Sequence, residues 1–347
     1  MTQTEAKTRQ PIILITGANG EVGHGLIRYL AEQQDSPRVV VLDLHPLDEL
    51  LRPFVLHAIE GDILDRALIQ KIAQDYEIDT IYHLAALLST YGEHHPERAH
   101  AVNVEGTLNL LRMASEESAA NNKPVKFIYP SSIAAYGIPD LSTKTQAGRI
   151  DEDHFLNPIT MYGCNKLYCE HLGRYYSTHY KQLDETAPLR IDFRGVRFPG
   201  LISAFTIPSG GTSDFAPEMI HAAVQGHEYE CFVRPDTVIP FMTMPDAIRA
   251  LIMLAEAPAE NLSRQVYNIT GFSASAQEFA DLIASNFPHN LIRFVPSAGR
   301  QTILDSWPAD LSDDSARADW NWRPLHNFNT GFAEYLLPNI KEHYHKA

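Results

Sequence analysis

A glycine-rich turn between an aliphatic run and a helical pattern constrains the fold of this chain more than any other feature. The aliphatic residues Ile12–Ile15 precede a turn with glycine at positions 17, 20 and 23, and an amphipathic pattern follows over 21–33. A short strand that is buried on both faces and turns directly into a helix is typical of a parallel sheet covered by helices. In such a unit the glycines permit a tight bend, a close approach of phosphate to the backbone, and close packing of the helix.

The same alternation of strands and helices continues along the chain. Further β-rich runs predict strands at Val39–Leu42, Thr80–Tyr82, Phe127–Tyr129 and Ile191–Val196, with one more before Gly61. Helical patterns predict helices at 66–74, 96–118 and 161–179. After residue 197, prolines and glycines break the chain into shorter elements, among which Thr243 is expected to cap a helix with proline in its first turn.

These patterns predict a Rossmann-type α/β fold with a doubly wound parallel sheet and a smaller C-terminal α/β lobe. We expect a flexible leader over residues 1–10, a dinucleotide-binding domain over 11–197, and a substrate-binding lobe over 198–347. Segments of that lobe are expected to pack back on the first domain.

The composition excludes several classes of protein. With 44% hydrophobic and 20% charged residues, the chain is typical of a globular protein and not of a disordered or fibrous one. A net charge of −15 would repel nucleic acid and anionic membranes, and no apolar run reaches the roughly 18 residues that span a bilayer. Three cysteines without a C-x-x-C pair, and a polar N-terminus, favour a cytoplasmic protein with a small-molecule partner.

The glycine-rich turn is typical of a dinucleotide-binding site. The N-terminus of the following helix faces the pyrophosphate, because its unpaired backbone N–H groups and its dipole favour an anion. The spacing is G-x-x-G-x-x-G, not the commoner G-x-G-x-x-G, and a purely structural turn is the alternative. The candidate residues of this turn are Gly17, Asn19, Gly20, Glu21, Val22 and Gly23.

Residues after three later strands extend the cofactor site. Asp43 follows the last glycine of the turn by about 20 residues, where its carboxylate would bind ribose hydroxyls and repel a 2′-phosphate, so NAD is expected and not NADP. Asp62 and Ile63 follow the third strand, where a carboxylate could lie beside the adenine amino group. Leu84-Ala85-Ala86 follow the fourth strand and offer small side chains where the backbone could pass under the cofactor. A solvated strand-end aspartate at 43 and an ordinary turn at 62 are the alternatives.

A Tyr-x-x-x-Lys pattern at Tyr162 and Lys166 predicts a base that removes a proton from a hydroxyl group. The unperturbed pKa of tyrosine, about 10, is too high for a base near neutrality unless a nearby cation stabilises the phenolate. Four residues apart on one helix, the two side chains share a face, and the lysine can also reach ribose hydroxyls of the cofactor. The pattern is common in helices, so its weight comes from the glycine-rich turn in the same chain.

A hydroxyl beside the tyrosine would hold the substrate oxygen. Ser131 and Ser132 end the fifth predicted strand, and the carboxyl ends of strands are where α/β sheets bind ligands. Two serines that merely form a turn are the alternative. His83, His94 and His95 lack the spacing of metal ligands, so no metal site is expected. We expect these histidines to lie on the surface or in loops.

Together these residues resemble the extended short-chain dehydrogenase/reductases. The glycine-rich turn, the two aspartates, the serine and the Tyr-x-x-x-Lys pattern match that family from about Ile12 to Arg197. The resemblance selects Ser132 over Ser131, and it gives Asn103 of the central helix a structural or proton-relay role. It also implies that Pro199 lies near the nicotinamide carboxamide and that the chain forms a homodimer through its central and tyrosine helices.

The second half resembles one branch of that family, the short-chain-type L-threonine 3-dehydrogenases. The matching segments are Arg197–Gly200, Gly210–Phe215, Arg234–Thr237, Met244–Ala247 and Ser306–Pro308. The resemblance implies that Ser89, Thr212, Asp214 and Trp307 surround an amino acid. Hydroxyls at 89 and 212 would donate to its carboxylate, Asp214 would pair with its ammonium, and Trp307 would wall a pocket for its methyl group. A helix cap at 214 and a core tryptophan at 307 are the alternatives.

The resemblance therefore implies NAD-dependent oxidation of L-threonine to 2-amino-3-oxobutanoate, with Tyr162 as base. The principal alternative is a nucleotide-sugar 4-epimerase or dehydratase of the same superfamily. Such an enzyme needs basic residues for a second pyrophosphate, and Arg234 is the one clear candidate in the second half. A non-catalytic dinucleotide sensor is a third possibility, but it would be expected to lack the tyrosine or the lysine, and both are present.

Overall fold

The computed structural model describes residues 9–184, 190–208 and 211–346. Most of the predicted leader, residues 1–8, and Gly210 of the matched second-half segment lie outside these ranges. Within the described ranges, no helix combines the length and apolar character needed to cross a membrane.

The strands form one large sheet and three small ones. They are β1(Pro11–Thr16), β2(Val39–Asp43), β3(His57–Glu60), β4(Glu77–His83), β5(Lys126–Ser132), β6(Arg149–Ile150), β7(Asp192–Phe198), β8(Gly200–Ile202), β9(Tyr229–Cys231), β10(Val238–Thr243), β11(Val266–Asn268), β12(Phe272–Ser275), β13(Ile292–Phe294) and β14(Asp310–Leu311). The large sheet has seven strands in the order β11-β7-β5-β4-β1-β2-β3. The small sheets are β12-β10-β8, β13-β9 and β14-β6.

The large sheet is the doubly wound parallel sheet that the sequence predicts. β1 lies between β2 and β4 and runs parallel to both. The strand order reverses beside β1, and α/β sheets bind ligands at the carboxyl ends of the strands flanking such a reversal. Three of the four aliphatic residues of β1 are buried, with Leu14 and Ile15 fully inaccessible, and Ile13 is half-buried. That burial explains their continuous apolar run.

Helices follow most of the strands. They are α1(Glu21–Ala31), α2(Arg66–Asp75), α3(Ser89–His94), α4(Pro96–His100), α5(Thr107–Asn121), α6(Leu141–Ala147), α7(Met161–Arg174), α8(Phe215–Val224), α9(Met244–Glu256), α10(Ala276–Asn286), α11(Ala298–Asp305), α12(Asp314–Trp320), α13(Phe328–Thr330) and α14(Leu337–Lys346). The helices predicted at 21–33, 66–74 and 161–179 are confirmed as α1, α2 and α7, the last of which continues into a π-helical segment, Tyr175–His179. The helix predicted after Thr243 is confirmed as α9, with proline in its first turn. Thr243 holds the N-cap position, but its side chain does not cap the helix, because its hydroxyl bonds to Asp246 and His326 instead.

The single helix predicted over 96–118 is interrupted. Between α4 and α5 the chain forms a π-helical segment, Ala101–Gly106, which contains Asn103. In a π-helical turn each carbonyl pairs with the N–H five residues on instead of four. The hydroxyl of Thr107, four residues on, donates to the Asn103 carbonyl oxygen at 2.5 Å. Hydrophobic periodicity does not register this one-residue change, so the sequence predicted an unbroken helix.

The chain forms two compact units, each built from separate segments. The first consists of the chain up to Ala86, Ala101–Tyr129 and His171–Arg194; the second consists of Leu87–His100, Pro130–Glu170 and the chain from Gly195 onward. The predicted boundary at residue 197 follows the order of the chain, whereas these units alternate along it. The division of function between 11–197 and 198–347 stays a prediction.

Candidate active site

The glycine-rich turn of the first unit is shaped to receive an anion. Gly17 has a φ of +71°, and a Cβ at that position would lie 2.5 Å from the backbone nitrogen of Ala85, so a side chain does not fit. Gly20 holds the N-cap position of α1 without a side-chain cap. A Cβ on Gly20 would meet only the Gly17 carbonyl oxygen, at 3.4 Å, so the space beside this backbone is open. An uncapped helix N-terminus with open space fits the pyrophosphate of a dinucleotide.

Asp43, the predicted ribose-binding residue, is held in position by backbone N–H groups. Its Oδ2 accepts the backbone N–H of Asn19 at 2.9 Å, and its Oδ1 accepts that of His45 at 3.0 Å. The Asn19 amide donates to the carbonyls of His45 and Pro46 and accepts the N–H of Asp48. The carboxylate is therefore an oriented acceptor, and each of its oxygens has a further lone pair for a ribose hydroxyl.

The remaining predicted cofactor residues of the first unit lie mostly at strand ends. Asp62 accepts the N–H of Leu64 at 2.9 Å, which makes an Asx turn. Ile63 is buried, and its carbonyl accepts the side-chain amide of Asn109 at 3.1 Å. Glu21, Val22 and Gly23 form the first turn of α1, and Leu84, Ala85 and Ala86 follow β4. Asn103 is 2% exposed inside the π-helical segment.

His83 does not have the surface or loop role predicted for it. It is the last residue of β4 and is 2% exposed. Its Nδ1 lies 2.8 Å from the hydroxyl of Thr16, and its Nε2 lies 2.9 Å from the hydroxyl of Thr107. Both ring nitrogens are thus satisfied inside the first unit, which sequence spacing alone did not reveal. Among the residues that the structure describes, no three His, Cys, Asp or Glu side chains are grouped to hold a metal ion.

The second unit brings Ser132, Tyr162 and Lys166 together. Ser132 ends β5, and the other two residues lie in the first half of α7. The Ser132 side chain lies near enough to the Tyr162 hydroxyl to lower the pKa of the phenol. The ammonium nitrogen of Lys166 lies 5.5 Å from the centre of the Tyr162 ring and donates to the Pro130 carbonyl at 2.6 Å. A hydroxyl donor, a phenol and a cation therefore occupy one small volume.

The two neighbouring serines have different partners. Ser131 is 2% exposed, and its hydroxyl donates to the carboxylate of Glu170 at 2.5 Å. Ser132 is more accessible, and its Oγ accepts the backbone N–H of Ala134 at 3.1 Å. Ser132 therefore makes one bond that a turn-forming serine would make. Its side chain also lies near the Tyr162 hydroxyl. These contacts favour Ser132 over Ser131 as the group that meets a substrate.

Burial shifts the pKa values of Tyr162 and Lys166 in opposite directions, because it disfavours the charged form of each. It raises the pKa of Tyr162 above its usual value, against the hydrogen bond with Ser132, which lowers it. It lowers the pKa of Lys166 to about 8, although Cys169 and Glu170 act to raise it. Lys166 alone therefore does not bring the pKa of Tyr162 near 7. The phenolate needs further positive charge beside it.

Two of the predicted substrate residues meet in the second unit. The hydroxyl oxygens of Ser89 and Thr212, which are 123 positions apart in the sequence, lie 2.8 Å apart and are buried. Ser89 begins α3 and shares its buried face with Gly92. A Cβ on Gly92 would lie 3.9 Å from the Cβ of Tyr162. The short helix α3 thus connects the hydroxyl pair to the helix that carries the tyrosine.

Asp214 and Trp307 show elements of both of their interpretations. Asp214 holds the N-cap position of α8 but does not cap it; its carboxylate instead accepts the N–H of Gly211 at 2.6 Å. This bond closes the loop that carries Thr212. Trp307 is 5% exposed just beyond α11, and its backbone N–H donates to the Leu304 carbonyl at 3.2 Å. Such burial fits both a core residue and a pocket wall.

Three acidic or basic residues near the cluster were missed in the sequence. Glu170 follows Lys166 by four positions and forms a buried ion pair with Arg197 at 2.6 Å. Glu93 of α3 accepts the N–H of Met161 at 2.8 Å and so caps the start of α7. The spacing of Glu170 from Lys166 on one helix face was the available signal; for Glu93 and Arg197 only the tertiary structure reveals the contact.

Comparison with known proteins gives consistent results. Residues 13–270 match the model of the NAD-dependent epimerase/dehydratase family. Mitochondrial L-threonine 3-dehydrogenase of Bos taurus is 35% identical over 323 residues, which cover 92% of this chain and 80% of the relative. The holo form of a GalE-like L-threonine dehydrogenase from Cupriavidus necator is 36% identical, with a TM-score of 0.83 over 95% of this chain and 100% of that one.

A more distant structure shares the fold alone. UDP-glucose 4-epimerase of Thermotoga maritima, solved with UDP-glucose, has a TM-score of 0.75 and is 21% identical, with 97% of this chain and 99% of that one covered. Its similarity extends over almost the whole chain. Fold by itself therefore does not distinguish a dehydrogenase from an epimerase.

Proposed function

Because the chain belongs to the NAD-dependent epimerase/dehydratase family, we propose that it oxidises the secondary alcohol of L-threonine to 2-amino-3-oxobutanoate with NAD. The observation that carries alcohol oxidation is the cluster of Ser132, Tyr162 and Lys166 inside one compact unit. The relatives named as L-threonine dehydrogenases support threonine as substrate, since they are more similar to this chain than the UDP-glucose 4-epimerase is. The two glycines at 17 and 20 and the open N-terminus of α1 fit the pyrophosphate of NAD.

Tyr162 acts as the base in this proposal. Its hydroxyl, as the phenolate, takes the proton of the threonine hydroxyl, while Ser132 holds the alcohol oxygen. Lys166 adds positive charge beside the ring and would hold ribose hydroxyls of the cofactor. Oxidised NAD would supply the hydride acceptor for C3 of threonine and an additional positive charge. Pro199, beyond β7, would lie near the nicotinamide carboxamide.

The hydroxyl pair of Ser89 and Thr212 binds the substrate carboxylate. In the pair, one hydroxyl donates to the other. A carboxylate beside the pair could accept a proton from each of the two hydroxyls. Asp214, whose Oδ2 bonds to Gly211, pairs with the substrate ammonium through its other oxygen. Trp307 walls the pocket for the methyl group. These roles are proposals that rest on the resemblance and on the Ser89–Thr212 contact.

Arg234, the one basic candidate for the epimerase alternative, is already paired with carboxylates. Arg234 forms a two-point ion pair with Asp305, at 2.9 and 2.8 Å, and a further bond to Asp236 at 3.1 Å. A guanidinium already paired in this way has little capacity left for a diphosphate. The cytoplasmic location and the homodimer stay predictions.

A substrate panel tests the proposal directly. Purified protein with NAD should form NADH with L-threonine, should react poorly with 3-hydroxybutyrate, and should not convert UDP-glucose. The amine-free substrate leaves Asp214 unpaired, which costs several kcal/mol, or about a hundredfold or more in kcat/KM. Turnover of UDP-glucose without turnover of L-threonine would assign the chain to the epimerases instead.

A matched pair of variants tests the hydroxyl pair. Thr212→Val keeps the shape of the side chain but removes its donor, so KM for L-threonine should rise by about tenfold with a smaller change in kcat. Thr212→Ser keeps the hydroxyl and should retain most of the affinity. Equal KM values in the two variants would remove Thr212 from the substrate site.

A further inference from the structure

A fully buried ion pair lies directly behind the catalytic cluster. Glu170 and Arg197 both have side chains with 0% exposure, and the guanidinium contacts the carboxylate through two bonds, of 2.9 and 2.6 Å. Ser131 donates its hydroxyl proton to the same carboxylate oxygen as the longer of these bonds. Neither member of the pair has a place in the proposed chemistry.

The pair joins the three elements that carry the catalytic and cofactor candidates of the second unit. Glu170 lies on α7, four residues after Lys166 and eight after Tyr162. Ser131 of β5 immediately precedes Ser132. Arg197 of β7 precedes Pro199 by two residues. One carboxylate therefore holds the tyrosine helix against the serine strand, and one guanidinium ties both to the strand that leads to the carboxamide contact.

The third nitrogen of the guanidinium is also hydrogen-bonded. Arg197 donates to the Tyr136 hydroxyl at 2.9 Å and to the Glu152 carbonyl at 2.8 Å. The Tyr136 hydroxyl in turn donates to the side-chain oxygen of Asn268 at 2.7 Å. A buried network of this kind holds its parts in one arrangement, because a displacement leaves buried polar groups unpaired.

Stability is a weak explanation for such a pair. Buried ion pairs commonly contribute no more than well-packed apolar residues, because desolvation offsets the attraction of the two charges. Their best-supported benefit is a specified geometry. At this place in the fold, geometry means the distances among Ser132, Tyr162 and Lys166.

We propose that the Glu170–Arg197 pair is a positioning unit for the catalytic cluster, which fixes α7 against β5 and sets the local charge around Lys166 and Tyr162. This inference rests on the proposed role of that cluster in alcohol oxidation. Both residues act through others, since neither touches the reacting atoms.

The charged and titratable groups around the pair come from several elements. On α7 they are Tyr162, Lys166 and Cys169, and Glu170 acts to raise the pKa of Lys166 against the effect of burial. From the neighbouring segments they are Tyr136, Glu152 and Arg264, of which the last two pair at 3.6 Å. Burial raises the pKa of Glu152. Glu170 is the acidic group on the same helix face as Lys166, so its removal should be felt there first.

Two variants separate charge from geometry. Glu170→Gln removes the negative charge and leaves Arg197 uncompensated, so the pKa values of both Lys166 and Tyr162 should fall. The profile of kcat/KM against pH should therefore move about one unit toward acid, with a lower maximum. Arg197→Lys keeps the charge but loses the two-point fork, so kcat should fall by about tenfold with no shift of the profile. A purely structural role predicts no shift in either variant.

A neutral double variant guards against loss of folding. Glu170→Gln combined with Arg197→Met leaves no unpaired buried charge. It should fold, return the pH profile toward its wild-type position, and keep the reduced kcat. A Glu170→Gln or double variant with wild-type kcat and an unshifted profile would overturn the proposal.

A measurement without substrate separates this inference from the proposed function. Urea unfolding of wild type, Glu170→Gln, Lys166→Met and the corresponding double variant gives the coupling between positions 170 and 166. The coupling should be present at pH 7 and largely lost at pH 10, where native Lys166, with its pKa of about 8, is neutral. If wild-type protein ignores L-threonine, the proposed function fails but this coupling still decides the inference. Equal coupling at both pH values contradicts a charge effect of Glu170.

Discussion

At the scale of single residues, the catalytic cluster holds two groups whose neutral forms are both favoured by burial. Tyr162 has a raised pKa, and Lys166 has a pKa lowered to about 8. A base of this kind works only when further positive charge lies beside it, which the oxidised cofactor would provide. The tyrosine is thus suited to act in the complex with NAD and to stay protonated without it.

Removing the phenol hydroxyl tests this account. Tyr162→Phe should lower kcat by at least about a hundredfold while the affinity for NAD changes by less than about threefold, because the variant loses a proton acceptor and little contact area. Steady-state kinetics measure kcat, and equilibrium titration measures the affinity for NAD. Cys164, two residues further on and exposed, offers a control: Cys164→Ser should leave kcat within about twofold of wild type. Substantial turnover by Tyr162→Phe would remove it as the base.

Cofactor preference depends on Asp43. Its carboxylate should favour NAD over NADP by repelling the 2′-phosphate. Asp43→Ala should therefore lower the ratio of kcat/KM with NAD to kcat/KM with NADP. Since Asp43 also accepts the N–H groups of Asn19 and His45, the alanine variant should lose NAD affinity as well. Asp43→Asn keeps an acceptor for one of these bonds, and it should narrow the ratio with a smaller loss. Equal use of both cofactors by the wild-type protein is the contrary result.

At the scale of elements, close approach decides which glycines are required. A Cβ on Gly23 of α1 would lie 2.3 Å from the carbonyl oxygen of Ala18, a backbone atom that cannot move aside without reshaping the turn. Gly299, near the start of α11, has nothing within 4 Å of the same position. The two glycines therefore have opposite expectations, although each lies in the first turn of a helix.

This difference is measurable by unfolding. Gly23→Ala should destabilise the protein by about 1–3 kcal/mol and weaken NAD binding, because α1 must move away from the turn. Gly299→Ala should be neutral or stabilising by up to about 1 kcal/mol, since alanine lowers the entropy of the unfolded chain. Urea unfolding and NAD titration of both variants provide the comparison. A Gly23→Ala protein as stable as wild type would show that α1 can shift freely.

At the scale of the whole molecule, the homodimer predicted from the family resemblance remains to be tested. The helix α7 leaves Tyr168 51% exposed, six residues after the proposed base. Light scattering behind size exclusion should give the mass of two chains, and Tyr168→Glu should shift it toward one chain by placing charge in the contact. An exposed residue away from α7, such as Leu325, 61% exposed, supplies the control variant Leu325→Glu. A wild-type mass of one chain at all concentrations would contradict the prediction.

Local sequence patterns were sufficient to predict the fold class and the cofactor, and the resemblance that they carry predicted the family. Hydrophobic periodicity located β1, β2 and the helices α1 and α7. A strand buried on both faces and an amphipathic helix each require a particular order of apolar residues within a short stretch of sequence. The glycine spacing indicated a dinucleotide for a similar reason, since the turn is formed by residues that are neighbours along the chain.

Contacts between side chains far apart in the chain became apparent only in the folded protein. The π-helical interruption at Asn103, the buried role of His83, the contact between Ser89 and Thr212 and the ion pair of Glu170 with Arg197 are not visible in sequence spacing. Each depends on burial and on hydrogen bonds between residues far apart in the chain or on a one-residue change of helical register. The chemistry of a side chain limits which hydrogen-bond or ion-pair partners are possible. The packing of the folded chain determines which of those partners it contacts.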